Sequence, residues 1–498
     1  MRFLLDTNVV IALEPTAPDA VESSTAAAIA FAKLATEGKH ELTIHPAIEV
    51  DYNRDSHRTR RDLRRLLSGR YALLADPPHV PPKLTALLGD PVAGSNDWVD
   101  NQLLAALDDD RVDVLVTEDQ GIHRKARRLG LGDRVLVVND VAAALRALFD
   151  TAPAPPPHVE LVRGHKLDKH DPIFESFRVD YPDFDAWLRK VRTEQRDAWV
   201  IRTPTGQYAA IAIVQPKKDG KLDLSGKVLK ICSFKVQPEA AGQKFGELLL
   251  KTIFDHCYAN NYGGAYLTAF PRHEGLIALA EEFGFVASDA ATPRGEVLLR
   301  KRFVPPDGDG EGDALAFHIQ YGPRALHRDA PTFIVPIQPR FHGLLFPETE
   351  PLRLPFDEPQ PYGNAILKAY LCHSMIKQLQ PGATLLFYKS RSTRGGAGSS
   401  RNEQSIQCIG VVERVVRSTS AETIAREVGH RTVYRFAEIE AMIRDRPILA
   451  ILFRHAIILK KPIRLTELRA HDLLGGVPQS IAQVRTTALE WTRARILE

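Results

Sequence analysis

The sequence has no long hydrophobic run and few cysteines. No stretch of its 498 residues approaches 18 uninterrupted apolar residues, so we expect no transmembrane helix. The first residues, MRFLLDTNVV, lack the longer apolar region and small-residue cleavage site of a signal peptide. The four cysteines, Cys232, Cys257, Cys372 and Cys408, form no CxxC pair, which argues against a disulfide scaffold and a cysteine zinc site. We therefore expect a soluble, cytoplasmic protein with no membrane partner.

Charge of one sign is not in large excess either. The 65 basic and 62 acidic residues give a net charge of +3, so a nucleic-acid partner has to be argued from the positions of the charges. A hydrophobic content of 44% suffices for several cores, and the length predicts about three domains. The proline-rich segment 151–158 and the acidic, glycine-rich segment 305–313 separate the predicted domains 1–150, 159–304 and 314–498.

The first predicted domain alternates strand and helix patterns. Short apolar runs and amphipathic stretches follow one another at 3–5, 24–37, 42–45, 98–107, 112–117 and 135–138. This alternation favours a parallel sheet covered by helices on both faces.

Four carboxylates stand at positions that suit a site. Asp6 and Asp119 each follow a predicted strand, where sites form in parallel α/β sheets. Asp100 begins DNQLLAAL at the edge of a leucine stripe, and Glu49 lies in the first turn of a helix that opens at Pro46. Convergent carboxylates are typical of Mg²⁺ or Mn²⁺ sites that hydrolyse phosphodiesters. The alternative is that they are helix caps and surface acids.

These motifs resemble the PIN-domain ribonucleases of the VapC-like group over residues 1–150. The resemblance rests on DTN after the first strand, an isolated Glu about forty residues later, DxxLLAA and VTED. It implies a metal-dependent endoribonuclease that cleaves single-stranded RNA or tRNA, with catalytic and Mg²⁺- or Mn²⁺-binding residues Asp6, Glu49, Asp100 and Asp119. Asn8 and Thr117 would support these ligands, and Asp97 is the alternative to Asp100. It also implies a toxin–antitoxin role, an inhibitory antitoxin-like protein and a homodimer through this domain.

Basic residues flank the acidic positions. Segment 54–70 has seven arginines against two aspartates, and RKARR follows the Asp119 turn. Such clusters suit a phosphate backbone, although charge runs are often solvated helix faces. The candidate RNA-binding residues here are Arg58, Arg61, Arg65, Arg124, Lys125 and Arg128.

The middle domain has predicted strands at 199–214 and 228–236 and a helix at 246–260. The turn between them, QPEAAGQKFG, is either an anion cradle at a helix N-terminus or an ordinary tight turn. Together with AYLTAF and EEFGF it resembles the GNAT acyltransferases over 159–303. The resemblance implies a coenzyme A or acetyl-CoA site at Val236, Gly242, Gln243, Lys244, Phe245, Gly246 and Glu247.

This turn departs from the usual pattern of that family. Ala241 and Lys244 replace an Arg or Gln and a Gly, and the frequent general-acid tyrosine is here Ala280. The domain is therefore either an active acyltransferase or a binding or structural derivative. Cys257, Tyr258 and Tyr266 are its candidate proton carriers, although the helical phase of Cys257 and the strand position of Tyr266 favour packing roles for these two residues.

The last domain has a predicted helix at 364–379 and strands at 384–388, 406–416 and 448–459, which favours a small, partly open β-barrel. GNAILKAYLCHS, PGATLLFYKS, QCIGVVERVV and ILFRHAIIL resemble the ASCH and EVE group of PUA-like domains, although the GxKxxExR signature is absent. The resemblance implies a pocket for nucleic acid or a modified base, with Lys368 and Lys389 as candidate contacts.

We therefore expect a multidomain α/β and α+β fold: a PIN-like parallel-sheet domain, a GNAT-like mixed domain and a PUA-like β-barrel. The first expected function is a metal-dependent endoribonuclease whose other domains recognise coenzyme A or RNA. The second is acyl transfer from acetyl-CoA to tRNA, aminoacyl-tRNA or protein, and the third is a non-catalytic RNA-binding adaptor.

Overall fold

The computed structural model describes residues 1–16, 22, 24–149, 159–217, 224–306, 312–349, 365–391, 403–444 and 446–497. They form two compact units. Unit 1 comprises Met1–Ala152, Ser420–His430 and Tyr434–Ala441, and unit 2 comprises Pro153–Thr419, Arg431–Val433 and Met442–Glu498. The finer division into three domains stays a prediction.

Unit 1 contains the expected parallel sheet. Its strands are β1 Arg2–Leu5, β2 Glu41–Ile44, β3 Ala72–Leu73, β4 Val114–Val116 and β5 Val135–Leu136, in the order β3-β2-β1-β4-β5, with every pair parallel. Its helices are α1 Thr7–Leu13, α2 Thr25–Glu37, α3 Ile48–Arg54, α4 Arg58–Ser68, α5 Pro82–Leu88, α6 Asn96–Asp108, α7 Gln120–Arg128 and α8 Val138–Phe149. Phe3 and Leu5 pack into one core and Leu4 into another, because successive strand residues face opposite sides of the sheet.

Two helices from far along the chain complete unit 1. They are α15 Ala421–Val428 and the greater part of α16 Phe436–Ile443. Arg426 forms ion pairs of 3.6 Å with both Asp110 and Asp113, and the Phe436 ring lies 5.1 Å from that of Phe149. No sequence pattern indicated that this segment joins the N-terminal unit.

Unit 2 begins with a seven-stranded sheet. Its strands are β6 Val159–Arg163, β7 Asp197–Arg202, β8 Tyr208–Lys217, β9 Lys227–Val236, β10 Tyr262–Ala269, β11 Val286–Ala291 and β12 Val297–Arg302. The order is β11-β12-β10-β9-β8-β7-β6, in which only β9 and β10 are parallel. Its helices are α9 Glu175–Asp180, α10 Phe184–Thr193, α11 Phe245–Ala259 and α12 Glu274–Glu282.

A six-stranded sheet follows in unit 2. Its strands are β13 Thr332–Ile337, β14 Leu367–Cys372, β15 Thr384–Lys389, β16 Ser405–Ser418, β17 Ile448–Arg464 and β18 Ala482–Gln483, in the order β14-β17-β16-β15-β13-β18. The helices α13 Ala314–Tyr321, α14 Pro339–Leu345, α17 Leu465–Ala470 and α18 Thr486–Leu497 accompany it. Within the described ranges, no pairing joins β14 to β18, so the expected barrel is not shown.

The predicted helix at 364–379 is wrong. Leu367–Cys372 is strand β14, paired antiparallel with β17, and residues 373–380 form no helix. The apolar positions in this stretch fit a helical period, but β14 is buried along nearly its whole length, and a strand buried on both faces has no alternation to reveal it.

A search of the described helices finds none that is both long and apolar enough to cross a membrane.

Candidate functional site

The parallel strands β9 and β10 separate part of the way along their length. Their paired stretch begins where Tyr262 of β10 lies opposite Lys227 of β9 and ends where Leu267 lies opposite Ile231. Beyond that point, the described pairings join the rest of β9 only to β8 and the end of β10 only to β12. A wedge therefore opens inside the sheet, edged by main-chain groups that have no ladder partner across it.

A bulge marks the position where the wedge opens. Val214 pairs with Ile231 and Ile213 pairs with Ser233, so Cys232 is an extra residue on β9. Its Sγ lies 3.7 Å from Arg196 Nη1 and 3.8 Å from the carbonyl oxygen of Lys230. Burial raises the pKa of the Cys232 thiol, which keeps it protonated and makes it a poor nucleophile.

The turn after β9 leads directly into a 15-residue helix, α11. Gly242 has φ 81°, and Lys244, the residue before the helix, has φ 59° and ψ 26°. Both values belong to the left-handed region that glycine normally occupies, so the backbone keeps a glycine-like path in spite of the lysine. The N–H groups of the first helical turn have no intrahelical partner and, with the helix dipole, favour an anion.

The structure brings the predicted coenzyme A residues together at this end of the wedge. Val236 ends β9, and Gln243 is exposed on the turn. Gly246 packs closely against a neighbouring side chain, since an added Cβ would lie 2.9 Å from Leu279 Cδ2 and would require that leucine to shift. Phe245 is buried in the core, so it offers only its main chain to a ligand.

Glu247 is also turned inward. Its Oε1 lies 3.2 Å from Lys244 Nζ, and its Oε2 accepts a hydrogen bond of 2.9 Å from the backbone N–H of Ile366. The lysine at the glycine position is thus directed toward a neighbouring carboxylate on its own helix. The contribution of residues 242–247 to a ligand would come from the backbone.

A carboxylate that the sequence did not reveal lies beside the wedge. Glu296 accepts a hydrogen bond of 2.7 Å from the Tyr181 hydroxyl and one of 3.3 Å from Thr268 Oγ1. Thr268 directly follows Leu267, the last residue of β10 that pairs with β9. Burial and the bond to Glu296 raise the pKa of Tyr181, which therefore stays a donor. No motif surrounds Glu296 or Tyr181, and they are 115 residues apart.

The proton carriers suggested by sequence have other roles. Cys257 is fully buried in the core, and burial raises the pKa of its thiol. The Tyr258 hydroxyl donates to the carbonyl oxygen of Tyr321 across 3.1 Å. Tyr266 packs in a small buried cluster with Leu224 and Val228.

In unit 1, Asp6 is the most constrained of the predicted carboxylates. Its Oδ1 accepts from the N–H of Thr7 at 2.7 Å, and its Oδ2 accepts from Asn8 Nδ2 at 2.6 Å and Thr117 Oγ1 at 2.5 Å. Burial raises the pKa of Asp6 to about 7, with smaller contributions from Asp100 and Asp51. Asn8 and Thr117 thus lie where the sequence placed them, against Asp6.

The other predicted acids already have partners. Lys125 Nζ lies 2.6 Å from Asp97 Oδ1 and 2.8 Å from Asp100 Oδ2. Asp119 caps α7 by accepting from the N–H of Gly121 at 2.6 Å, and Glu49 pairs with Arg65 at 2.8 Å.

Helix α3 nevertheless supplies an acid close to Asp6. It is Asp51 rather than Glu49, because the Asp51 carboxylate accepts from Thr7 Oγ1 at 2.5 Å. In the part of the chain that the structure describes, no group of three or more His, Cys, Asp or Glu residues could hold a metal ion. The geometry therefore does not support the predicted Mg²⁺ or Mn²⁺ site.

The predicted RNA-binding residues are divided between the surface and the interior. Arg58 and Arg124 are exposed, and Arg128 donates to the carbonyl oxygen of Leu87. Arg61 lies 3.4 Å from the carbonyl oxygen of Asp55. By contrast, Lys368 and Lys389 lie in β14 and β15, where they are 0% and 2% exposed, so neither ammonium reaches a surface that could meet a phosphate backbone.

Residues 164–285 match the family model described as Acetyltransferase (GNAT) family. This segment is a GNAT acetyltransferase domain. It contains β7 to β10, α11 and α12, and hence the wedge. The match covers under half of the chain, so it identifies this part alone.

Solved structures resemble parts of the chain at low identity. ASCH from Zymomonas mobilis is 13% identical, with a TM-score of 0.25, over 33% of this chain and 94% of its own. NAA60 from Arabidopsis thaliana, in complex with a bisubstrate analogue, is 11% identical, with a TM-score of 0.23, over 29% of this chain and 98% of its own. A chain of the NatC complex bound to Gag peptide and CoA is 10% identical, with a TM-score of 0.22, over 29% of this chain and 96% of its own. At these scores no likeness supports an assignment, and no curated protein matches the sequence.

Proposed function

We propose that the protein is an acyltransferase that moves an acetyl group from acetyl-CoA to an amine. The observation that carries this proposal is the wedge between β9 and β10, which opens within the residues that match the GNAT model, next to the N-terminus of α11. The endoribonuclease, which the sequence favoured first, has weaker support in the geometry than this alternative.

The residues present fit coenzyme A. The N–H groups at the start of α11, which have no partner within the helix, suit a pyrophosphate, and the left-handed backbone at Gly242 and Lys244 gives the turn before them a glycine-like path. The free edge of β9 from Ser233 to Val236 can hydrogen bond to an extended amide-containing arm. When bound, acetyl-CoA supplies an acetyl group activated as a thioester.

Glu296 is the group that we assign to proton transfer. An amine that attacks a carbonyl carbon must lose a proton, and a carboxylate within hydrogen-bond reach can accept it. The Tyr181 and Thr268 hydroxyls both donate to Oε1 of Glu296, which holds the carboxylate at the open end of β10. Tyr181, whose raised pKa keeps it protonated, would position Glu296.

The test measures acetyl-CoA binding by calorimetry and transfer of labelled acetyl to polyamines, peptide N-termini, aminoacyl-tRNA and tRNA. Gln243→Glu places a negative charge on the exposed turn before α11, and we expect it to weaken acetyl-CoA binding at least tenfold. Gln207→Glu makes the same change on the exposed β7–β8 turn and should bind like wild type. If the wild-type protein binds no acetyl-CoA, or if both variants bind equally, the proposal is wrong.

The second candidate is the endoribonuclease in unit 1, acting on single-stranded RNA or tRNA. The observation in its favour is the buried Asp6, which Asp100 repels and whose pKa is raised.

The test of this candidate begins with Lys125, whose ammonium lies against Asp97 and Asp100. Lys125→Met should increase Mn²⁺ affinity if these acids form a metal site. End-labelled RNA incubated with Mg²⁺ or Mn²⁺ would be cut by wild type and spared by Asp6→Asn. If the RNA stays intact with wild type, Lys125→Met and Asp6→Asn, the endoribonuclease proposal is wrong.

A further inference from the structure

Unit 2 contains a cavity of about 280 Å³ that is separate from the wedge. It lies between the C-terminal half of α11, the end of α13 and strand β17. Its apolar wall includes Phe254, Phe283, Ile366 and Ile457. An apolar cavity of about 150 Å³ in another protein holds benzene, so this one has room for a ring with a substituent.

The cavity opens part of the way along α11 from the proposed pyrophosphate site. Lys251, the cavity-lining residue nearest to the start of α11, lies six residues after Phe245. At 1.5 Å per residue this corresponds to about 9 Å along the helix axis. A ligand whose charged end lies on Arg324 and Lys301 would therefore leave the α11 N-terminus free.

Positive side chains predominate in the lining. Among the described lining residues, Lys251, Lys301, Arg324 and Arg454 are the cations and Asp255 is the carboxylate. Buried charges are costly unless opposite charges compensate them. Carboxylates outside the lining compensate two of them, so Lys301 and Arg324 are the cations that a bound anion would stabilise.

Three of the four cations have partners of their own. Lys251 pairs with Glu348, and Arg454 Nε lies 2.9 Å from Glu413. Lys301 Nζ donates at 2.9 and 3.2 Å to the carbonyl oxygens of Ile319 and Gln320, at the end of α13. These contacts fix the cations at the wall of the cavity.

Arg324 differs from them. Within the described part of the chain, its guanidinium forms no ion pair and donates no hydrogen bond, although it lies 5.3 Å from the centre of the Tyr258 ring. It also lines a smaller adjoining pocket, together with the exposed Lys460 and Lys461. Arg324 thus stands at the junction of the cavity and a basic surface, with its hydrogen-bond donors available.

We propose that this cavity binds a small organic anion, with its apolar ring or chain against Phe254 and Phe283 and its phosphate or carboxylate on Arg324 and Lys301. Burial lowers the pKa of Lys301 to about 7, and an anion beside it would favour its charged form. The adjoining Lys460 and Lys461 would attract such a ligand and orient its charged end toward Arg324.

The experiment uses the full-length protein and four matched probes: benzyl phosphate, benzoate, benzylamine and benzyl alcohol. Calorimetry and the shift in melting temperature report binding. We expect the two anions to bind and the amine and alcohol to bind at least tenfold more weakly. The relative affinities of benzyl phosphate and benzoate decide which anionic group the site prefers.

Two variants locate the binding. Arg324→Gln should reduce anion affinity at least tenfold, whereas Arg328→Gln, at an exposed position in the same loop, should leave it unchanged. Ile458→Trp narrows the cavity while it keeps all four cations, and should also abolish binding. Equal binding of the amine and the anions, unchanged affinity in both cavity variants, or no binding of any probe at millimolar concentration would overturn the proposal. Acetyl-CoA binding by these variants, measured in parallel, tests the transferase separately.

Discussion

The backbone N–H of Ile366 donates a hydrogen bond of 2.9 Å to Oε2 of Glu247, in the first turn of α11. This bond joins the GNAT domain to the segment that enters β14, the edge strand of the next sheet. The same carboxylate pairs with Lys244 at 3.2 Å. One buried side chain therefore stabilises both the turn beside the wedge and the contact between the two sheets of unit 2.

Glu247→Ala should strongly destabilise unit 2. It removes the buried carboxylate that accepts from the Ile366 N–H and lies beside the Lys244 ammonium, so we expect the free energy of unfolding to fall by about 3 kcal/mol. Glu247→Gln keeps a carbonyl acceptor for the Ile366 N–H, so its free energy of unfolding should fall by less. Urea unfolding followed by circular dichroism measures both variants. A Glu247→Ala protein as stable as wild type would show that this contact is dispensable.

Ile424 should stabilise the N-terminal unit although it is more than 270 residues away from it in sequence. Ile424 is fully buried in α15, which belongs to unit 1. Ile424→Ala removes buried methyl groups and should lower the free energy of unfolding of unit 1 by about 2–4 kcal/mol. Hydrogen exchange of the β1 and β4 amides would report the loss, and the exposed Arg444→Ala serves as control. The prediction would be contradicted if the β1 and β4 amides of a fragment of residues 1–149 exchanged as slowly as they do in the full chain.

Glu296→Gln should impair acetyl transfer without impairing cofactor binding. The amide keeps the bonds from Tyr181 and Thr268 but cannot accept a proton, so kcat should fall by about 10²–10⁴-fold. Acetyl-CoA affinity should stay within twofold of wild type, because the start of α11 is unchanged. Glu281→Gln, at an exposed position on α12, is the matched control. If kcat is retained in Glu296→Gln, another group accepts the proton.

The buried Lys301 should make the free energy of unfolding depend on pH. Burial, with a smaller effect of Arg454, lowers its pKa to about 7, against about 10.4 in an unfolded chain. Between these values the unfolded state binds more protons, so the free energy of unfolding rises with pH. From pH 7 to 8.5, Lys301 should contribute an increase of about 1–2 kcal/mol. Melting curves of wild type and Lys301→Met at four pH values test this, and parallel profiles would refute it.

Local sequence patterns predicted much of the two α/β sheets. The order of elements in unit 1 and the β9–turn–α11 unit could be found because each strand or helix carries its own apolar period. The acids Asp6 and Asp119 could be placed for the same reason, since both directly follow a strand. Their local role as helix caps is equally clear, and sequence could not separate it from a metal site.

The wrong predictions concern residues whose contacts are made with segments far away in sequence. Glu49 and Asp51 are two residues apart on α3, and only the position of Thr7 shows that Asp51 lies nearer to Asp6. Residues 364–379 fit a helical period, yet pairing with β17 makes 367–372 a strand. Lys368 carries the charge expected of a nucleic-acid contact, but this strand pairing buries it.

The sequence by itself determined the parallel sheet of unit 1, the glycine-bearing turn before α11 and the GNAT match at 164–285. Only the tertiary structure decided that strands β9 and β10 separate after Ile231, that Tyr181 meets Glu296, and that Ser420–His430 completes unit 1. The physical reason is that helical and strand periods arise from neighbours along the chain. Charge partners, burial and strand pairing depend on residues far away in sequence, which a local pattern does not encode.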